Sequence, residues 1–150
     1  MLSDGPLLEI NDLVVDYAGK SGFVRAVDGV SLRVSRGEFL GLVGESACGK
    51  STLLFAASRL LSESAQIVGG NVIFKGRDLV VLREKQLRHL RWRELSVVMQ
   101  SAMNALNPVL SIEAQMLDAI KAHQRMSKRA ARARAAEVLR LVGIDEVHLK

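Results

Sequence analysis

At 150 residues with 49% apolar side chains, the chain has the size and composition of one globular domain with a real core, not of a disordered or fibrous protein. The opening Met1-Leu2-Ser3-Asp4-Gly5-Pro6 lacks the basic start and apolar block of a signal peptide, and no run reaches the ~18 apolar residues of a membrane span, so a soluble or membrane-peripheral chain is expected. The net charge of +5 is concentrated in residues 75–93 and 121–150, which carry one aromatic, Trp92, and no aromatic series to stack bases; solvated helix faces are expected there, not nucleic-acid binding.

In chain order, Leu7 to Tyr17 alternates as a half-buried strand, Ala18 to Gly22 forms a Gly-containing turn, and Val24 to Val34 reads as a second strand antiparallel to the first, closed by Arg36-Gly37. The continuous apolar run Phe39-Leu40-Gly41-Leu42-Val43 predicts a strand buried on both faces. A helix is predicted over 50–61. Gly69-Gly70-Asn71 predicts a turn ahead of a strand at Val72-Ile73-Phe74, and 83–93 a short basic helix. Leu95 to Met99 reads as another strand, ending at Gln100, and Ser101 to Leu110 as a loop in which Asn107-Pro108 breaks any helix.

Two helices are predicted after that loop. The first covers Ser111 to His123 with Ile112, Met116, Leu117 and Ile120 on one side; the second follows Ser127 as N-cap, with the stripe Ala131, Ala135, Val138, Leu139, Val142 and Gly143 as its C′ residue. The change from strand-rich to helical sequence near Gln100 marks a subdomain boundary within one partial domain: residues 1–100 a β subdomain with a phosphate-loop core, residues 101–143 a helical subdomain.

The string Gly44-Glu45-Ser46-Ala47-Cys48-Gly49-Lys50-Ser51 fits the phosphate-binding pattern G-x-x-x-x-G-K-[ST] between a predicted strand and a predicted helix. Its chemistry follows from its residue types. Glycines let the backbone wrap a phosphate without a Cβ in the way, and amides at a helix N-terminus favour an anion. Lys50 supplies a point charge for the β- and γ-phosphates of a nucleoside triphosphate, the Ser51 hydroxyl a hard oxygen for Mg²⁺, and Thr52 a bond to an α-phosphate oxygen. Cys48, the single cysteine, precludes an internal disulfide, which fits a reducing cytosol. It is read as a small filler, yet one beside Lys50 at a helix start and therefore chemically reactive. His89, His123 and His148 show no metal-ligand spacing, and Trp92 is read as a packing residue.

This ordered set resembles the ATP-binding cassette ATPases of membrane transporters over about Leu7 to Lys150. It runs from Tyr17 after a first strand through Ala26-Val27-Asp28-Gly29-Val30-Ser31-Leu32, Gly37-Glu38, the loop at 44–51 and Gly70-Asn71-Val72-Ile73-Phe74-Lys75-Gly76-Arg77-Asp78-Leu79 to Val97-Val98-Met99-Gln100. Gly44-Glu45-Ser46 and Ala105-Leu106-Asn107-Pro108 are similar to the ATPase subunits of oligopeptide, dipeptide and nickel importers. The resemblance implies an α/β P-loop NTPase cassette fold, with an antiparallel β subdomain, part of a parallel-sheet core and an α-helical subdomain.

It further implies ATP and Mg²⁺ as ligands, Tyr17 as an aromatic stacking on adenine, and Gln100 as the Q-loop glutamine touching Mg²⁺ and the attacking water. For Tyr17 a core role at the strand end stays open, and Phe23 is a rival. Residues 101–142 would dock on transmembrane permease subunits at the cytoplasmic face of the membrane, with Met103, Leu106 and Val109 suited to a partner surface. A second ATPase subunit would close the site, as a homo- or heterodimer.

Two departures bear on activity. Ala47 stands where the family usually has Gly, at a cost on the order of 1 kcal/mol if that position needs φ > 0. The L-S-G-G-Q signature, the Walker B strand, the catalytic Glu and the switch His follow Lys150 in the family pattern, so the chain matches the first half of a cassette, incomplete at its C-terminus. It is expected to bind ATP without hydrolysing it and, with strand 39–43 lacking a neighbour, to be poorly soluble alone. The alternatives are a non-catalytic or regulatory nucleotide-binding fragment, or a nucleic-acid-linked P-loop ATPase.

Overall fold

The computed structural model describes residues 5–20, 22–99 and 106–149, and the chain divides into two compact units, Met1–Ser96 and Val97–Lys150. The first unit is built on strands β1 (Leu8–Gly19), β2 (Gly22–Val34), β3 (Ala65–Phe74) and β4 (Arg77–Asp78), joined by helices α1 (Lys50–Ala57) and α2 (Glu84–Leu90). All pairings are antiparallel, in the order β2-β1-β3-β4. Hairpin-linked β1 and β2 bring Val15 opposite Val27, while β3 returns on the other side of β1 with Val72 opposite Ile10.

A side chain in a strand changes face every residue, so core residues should sit an even number apart. On each long strand the inward positions break this rule once. Ile10 and Leu13 are both buried on β1. On β2 the inward residues shift from Val27 to Val30, and on β3 from Ile67 to Val72. Each slip adds one residue, and the pairing registers shift at the same places, between Ile10 and Leu13 against β2 and between Asn11 and Val14 against β3. Asp12 (φ 45°), Gly29 (φ 61°) and Gly70 (φ 75°) supply the left-handed backbone for the slip. Side chains fasten it: Asp12 N–H donates to Ser31 Oγ (2.8 Å), Ser31 Oγ to Asp12 Oδ1 (3.0 Å), and Asn11 Nδ2 to Asn71 Oδ1 (2.9 Å).

Gly69-Gly70-Asn71 is therefore a bulge inside one continuous strand, not the turn its glycines predict. A Cβ on Gly70 would stand 2.4 Å from the carbonyl oxygens of both Asn11 and Asp12, so only glycine allows β3 to approach β1 there. The sheet's inner face meets Leu53 and Ala56 of α1 and Leu87 and Leu90 of α2 in one core with Leu13, Val15 and Leu79. Each such leucine or valine side chain contributes ~1.5–3 kcal/mol by leaving water.

Helix α1 ends at Ala57, short of the predicted 61. Arg59 takes φ 55°, its N–H donates to Ala56 O, and Leu60 N–H donates to Phe55 O: a Schellman cap with arginine at the left-handed position. Two predicted strands form no ladder. Phe39–Val43 takes no secondary structure, with Phe39 99% and Val43 92% exposed. Leu95 makes one bridge to Arg91, after which Ser96 to Met99 is unpaired among the described residues. Their apolar composition suits burial on two faces, but a strand exists only where a neighbour takes its backbone hydrogen bonds, and none of the described strands lies beside them. The described sheet is accordingly antiparallel only.

In the second unit, α3 (Ile112–His123) and α4 (Lys128–Leu141) pack with a short 3₁₀ turn, Glu146–Leu149, around Leu117, Ala131, Ala135, Ala136, Leu139 and Leu149. Ser111 Oγ accepts from Ala114 N–H and Ser127 Oγ from Ala130 N–H, as N-caps. Of the predicted α4 stripe, Val142 is 66% exposed and Ala136 takes its place in the core. Gly143 (φ 76°) closes α4 by the same Schellman pair, Gly143 N–H to Arg140 O and Ile144 N–H to Leu139 O.

Candidate functional site

The phosphate-loop residues lead from the 39–43 segment into the N-terminus of α1. Gly49 (φ 94°) is the N-cap residue, and no side chain caps the helix. The first intrahelical bond is Leu53 N–H to Gly49 O (2.9 Å), so the amides of Lys50, Ser51 and Thr52 are the ones a helix start leaves without an intrahelical acceptor. No acidic residue lies in that first turn to compete for them. A Cβ on Gly49 would meet Ala26 O of β2 at 2.4 Å, which fixes glycine at this position through packing of the loop on the sheet. At the other end, a Cβ on Gly44 would lie 2.9 Å from Cys48 Sγ.

Lys50 folds over the loop. Its ammonium donates to Gly44 O (2.8 Å), to Glu45 O, and to Cys48 Sγ (3.4 Å). The cation is thus held centrally over the loop by the loop's own carbonyls. Glu45, Ser46, Ala47, Cys48 and Ser51 are exposed. Ala47 takes φ 63°, so the position does require the left-handed region, and the alanine Cβ is strained there by about 1–2 kcal/mol. The donor set fits a phosphate chain: three free helix amides, one ammonium and no nearby carboxylate in the first turn. The exposed Ser51 hydroxyl on that same turn is a hard oxygen of the type that would hold Mg²⁺.

Tyr17, near the end of β1, is half-buried, and its hydroxyl lies 3.4 Å from Thr52 Oγ1. This contact brings the predicted aromatic to the first turn of α1, a proximity that no sequence spacing announces. Phe23, its rival, pairs opposite Ala18 and is 67% exposed on β2. Gln100 and Met103 lie outside the described residues. In the second unit, Asn107 is tied to α3 by its N–H to Gln115 Oε1 (2.8 Å) and by Gln115 Nε2 to its carbonyl (3.1 Å), which leaves Leu106 50% and Val109 88% exposed. Among the described residues, no helix is long and apolar enough to cross a membrane.

The part β2 plays is invisible to local patterns, because the contact of Gly49 with Ala26 joins residues far apart in the chain. The only local signal was the glycine itself.

Comparison with known proteins agrees with this geometry. The family model described as "ABC transporter" matches residues 27–150. A dipeptide transport ATP-binding protein of Caldanaerobacter subterraneus is 36% identical over 140 residues, covering 93% of this chain and 43% of that protein. An oligopeptide transport ATP-binding protein of Bacillus subtilis is 37% identical over 139 residues, covering 92% of this chain and 39% of that protein. The chain thus spans about two fifths of the length of these relatives. Among solved structures, a dimeric ATP-binding cassette in a post-hydrolysis state with ADP and Pi superposes with a TM-score of 0.75 at 23% identity, over 95% of this chain and 60% of that one. A cassette fold, a phosphate loop on the first turn of α1 and a family match over most of the sequence lead to one conclusion: the chain belongs to the ABC transporter family.

Proposed function

We propose that this chain is the ATP-binding part of a subunit that powers a membrane importer for peptides or similar solutes. The observation that carries the reading is the loop 44–51, with Lys50 centred over it and three unpartnered amides on the first turn of α1. The names of the relatives add the solute class.

In this reading the amides of Lys50, Ser51 and Thr52 and the Lys50 ammonium bind the phosphates, and Ser51 holds Mg²⁺. The ammonium exchanges its carbonyl partners for the β- and γ-phosphate oxygens, a charge-assisted replacement for neutral bonds. Tyr17 supports the adenine and is itself positioned by Thr52. Mg²⁺ when bound neutralises charge on the phosphates. Gln100 would contact that ion and the attacking water. Transfer to water needs groups that position a nucleophile and stabilise charge; in this reading the chain alone binds ATP without hydrolysing it. A second ATPase subunit closes the site, and residues around 101–142, with exposed Leu106 and Val109, face the permease subunits on the cytoplasmic side of the membrane.

The solitary Cys48 provides a direct test. Its exposed sulfur lies in the loop 3.4 Å from Lys50 Nζ. Mg-ATP should slow its alkylation, and AMP, with a single phosphate, should do so far less. Equal rates with and without Mg-ATP would count against nucleotide binding at this loop.

A further inference from the structure

The turn after α2 holds an unusual residue in an unusual conformation. After extended Arg91 (φ −59°, ψ 138°), Trp92 takes φ 66°, a left-handed conformation that normally goes to glycine. A bulky aromatic with positive φ is a true outlier, held only where the surroundings over-determine it. They do so here. Trp92 N–H donates to Leu95 O (2.8 Å), and Glu94 N–H to Leu90 O (2.8 Å). The Arg91 side chain pins the turn through Glu84 Oε1 (2.5 Å) and Arg59 O (2.7 Å). All this fixes the backbone and still leaves the Trp92 side chain unburied, with the residue 70% exposed. Packing therefore does not explain the tryptophan, contrary to the sequence expectation.

Charge around it is also one-sided. The acids of this stretch are consumed internally: Glu84 by Arg91, and Glu94 by Lys75 and Arg77, both at 2.9 Å. Lys85, Arg88 and Arg93 are exposed and have no ion-pair partner among the described residues. The result is an exposed indole on a fixed backbone, in a stretch that carries three unneutralised cations.

We propose that this corner, Lys85, Arg88, Trp92 and Arg93, is a docking surface for an anionic lipid bilayer. An indole joins an apolar body to an N–H donor and settles at the headgroup level, while Lys and Arg near a negative leaflet each add attraction. Nucleic acid is disfavoured because one aromatic offers no stacking series. Membership of a transporter family puts a membrane within the chain's working surroundings. The proposal does not depend on the nucleotide site and is tested without nucleotide.

Trp92 is the only tryptophan, so it reports its own environment. The 150-residue chain is titrated with vesicles of phosphatidylcholine alone and of phosphatidylcholine mixed with phosphatidylglycerol while emission is followed. A blue shift with the anionic vesicles only, weakened by salt, is expected. Partitioning should fall about fivefold in Arg88→Gln and again in Arg93→Gln. Both side chains are exposed, so the thermal melts of these variants should match the parent. No shift, or an equal shift on neutral vesicles, overturns the proposal. So does vesicle binding without a Trp92 response, which would place the contact on the basic 121–134 segment. An equal shift with polyglutamate in place of vesicles would assign the surface to an acidic protein partner instead.

Discussion

Tyr17 Oη lies 3.4 Å from Thr52 Oγ1, joining the end of β1 to the first turn of the phosphate-loop helix. The hydroxyl ties the sheet to the helix, and in the proposed reading the ring supports the adenine. The roles separate on mutation. Tyr17→Phe keeps the ring and loses a long, weak bond, so affinity for ATP should change by less than about threefold. Tyr17→Ala should weaken it by about 5- to 150-fold, the value of one stacked base. Isothermal titration of both variants decides this, and equal losses would assign the residue to anchoring alone.

Ala47 at φ 63° occupies a conformation that glycine adopts without strain. Ala47→Gly should let the loop reach its binding shape at lower cost, raising ATP affinity by up to about fivefold for a relief of ~1 kcal/mol. Competition between ATP and a fluorescent analogue measures the change. Lower affinity in the variant would show that the strained alanine is needed to hold the loop.

Gly70 and Gly76 share φ 75° but not their surroundings. A Cβ at Gly70 meets two carbonyl oxygens at 2.4 Å, whereas at Gly76 nothing lies within 4 Å. Gly76→Ala should therefore cost about 1 kcal/mol of backbone strain. Gly70→Ala should cost on the order of 3 kcal/mol, strain and overlap together, and loosen β1 from β3. Urea unfolding of the pair tests whether the aligned bulge is as tight as described.

Glu94 accepts from Lys75 Nζ and Arg77 Nη2, and these bonds hold its carboxyl below its ordinary value of 4.5. Because the folded state binds this proton less readily than the unfolded chain, the stabilisation is present above pH 4.5 and disappears as pH falls through the lower folded value. Glu94→Gln should be less stable than the parent at pH 7, and the two melting temperatures should converge on acidification below the ordinary carboxylate range. A gap that does not depend on pH would remove the charge from the explanation.

The sequence made visible what local chemistry encodes. The loop 44–51, the N-cap Ser127 and the C′ residue Gly143 all stand where their residue types place them. Arg59 makes the same Schellman cap as Gly143, but arginine carries no such signal, so the apolar pattern predicts α1 longer than it is. Gly69-Gly70 predicts a turn because turns and bulges both use glycine at positive φ; only the partner strand distinguishes them. For Phe39–Val43 the apolar run describes a side-chain environment, while a strand also requires a backbone neighbour. The Tyr17–Thr52 contact spans 35 residues and arises from the antiparallel sheet, which local patterns leave unspecified.

Titration of Mg-ATP into the chain and into its Lys50→Ala variant tests the central claim most directly. The account predicts saturable binding by the parent and a loss of at least about tenfold in the variant, as expected when a charge-assisted contact to phosphate is removed. Equal affinities in the two, or no binding by a folded parent, would contradict it.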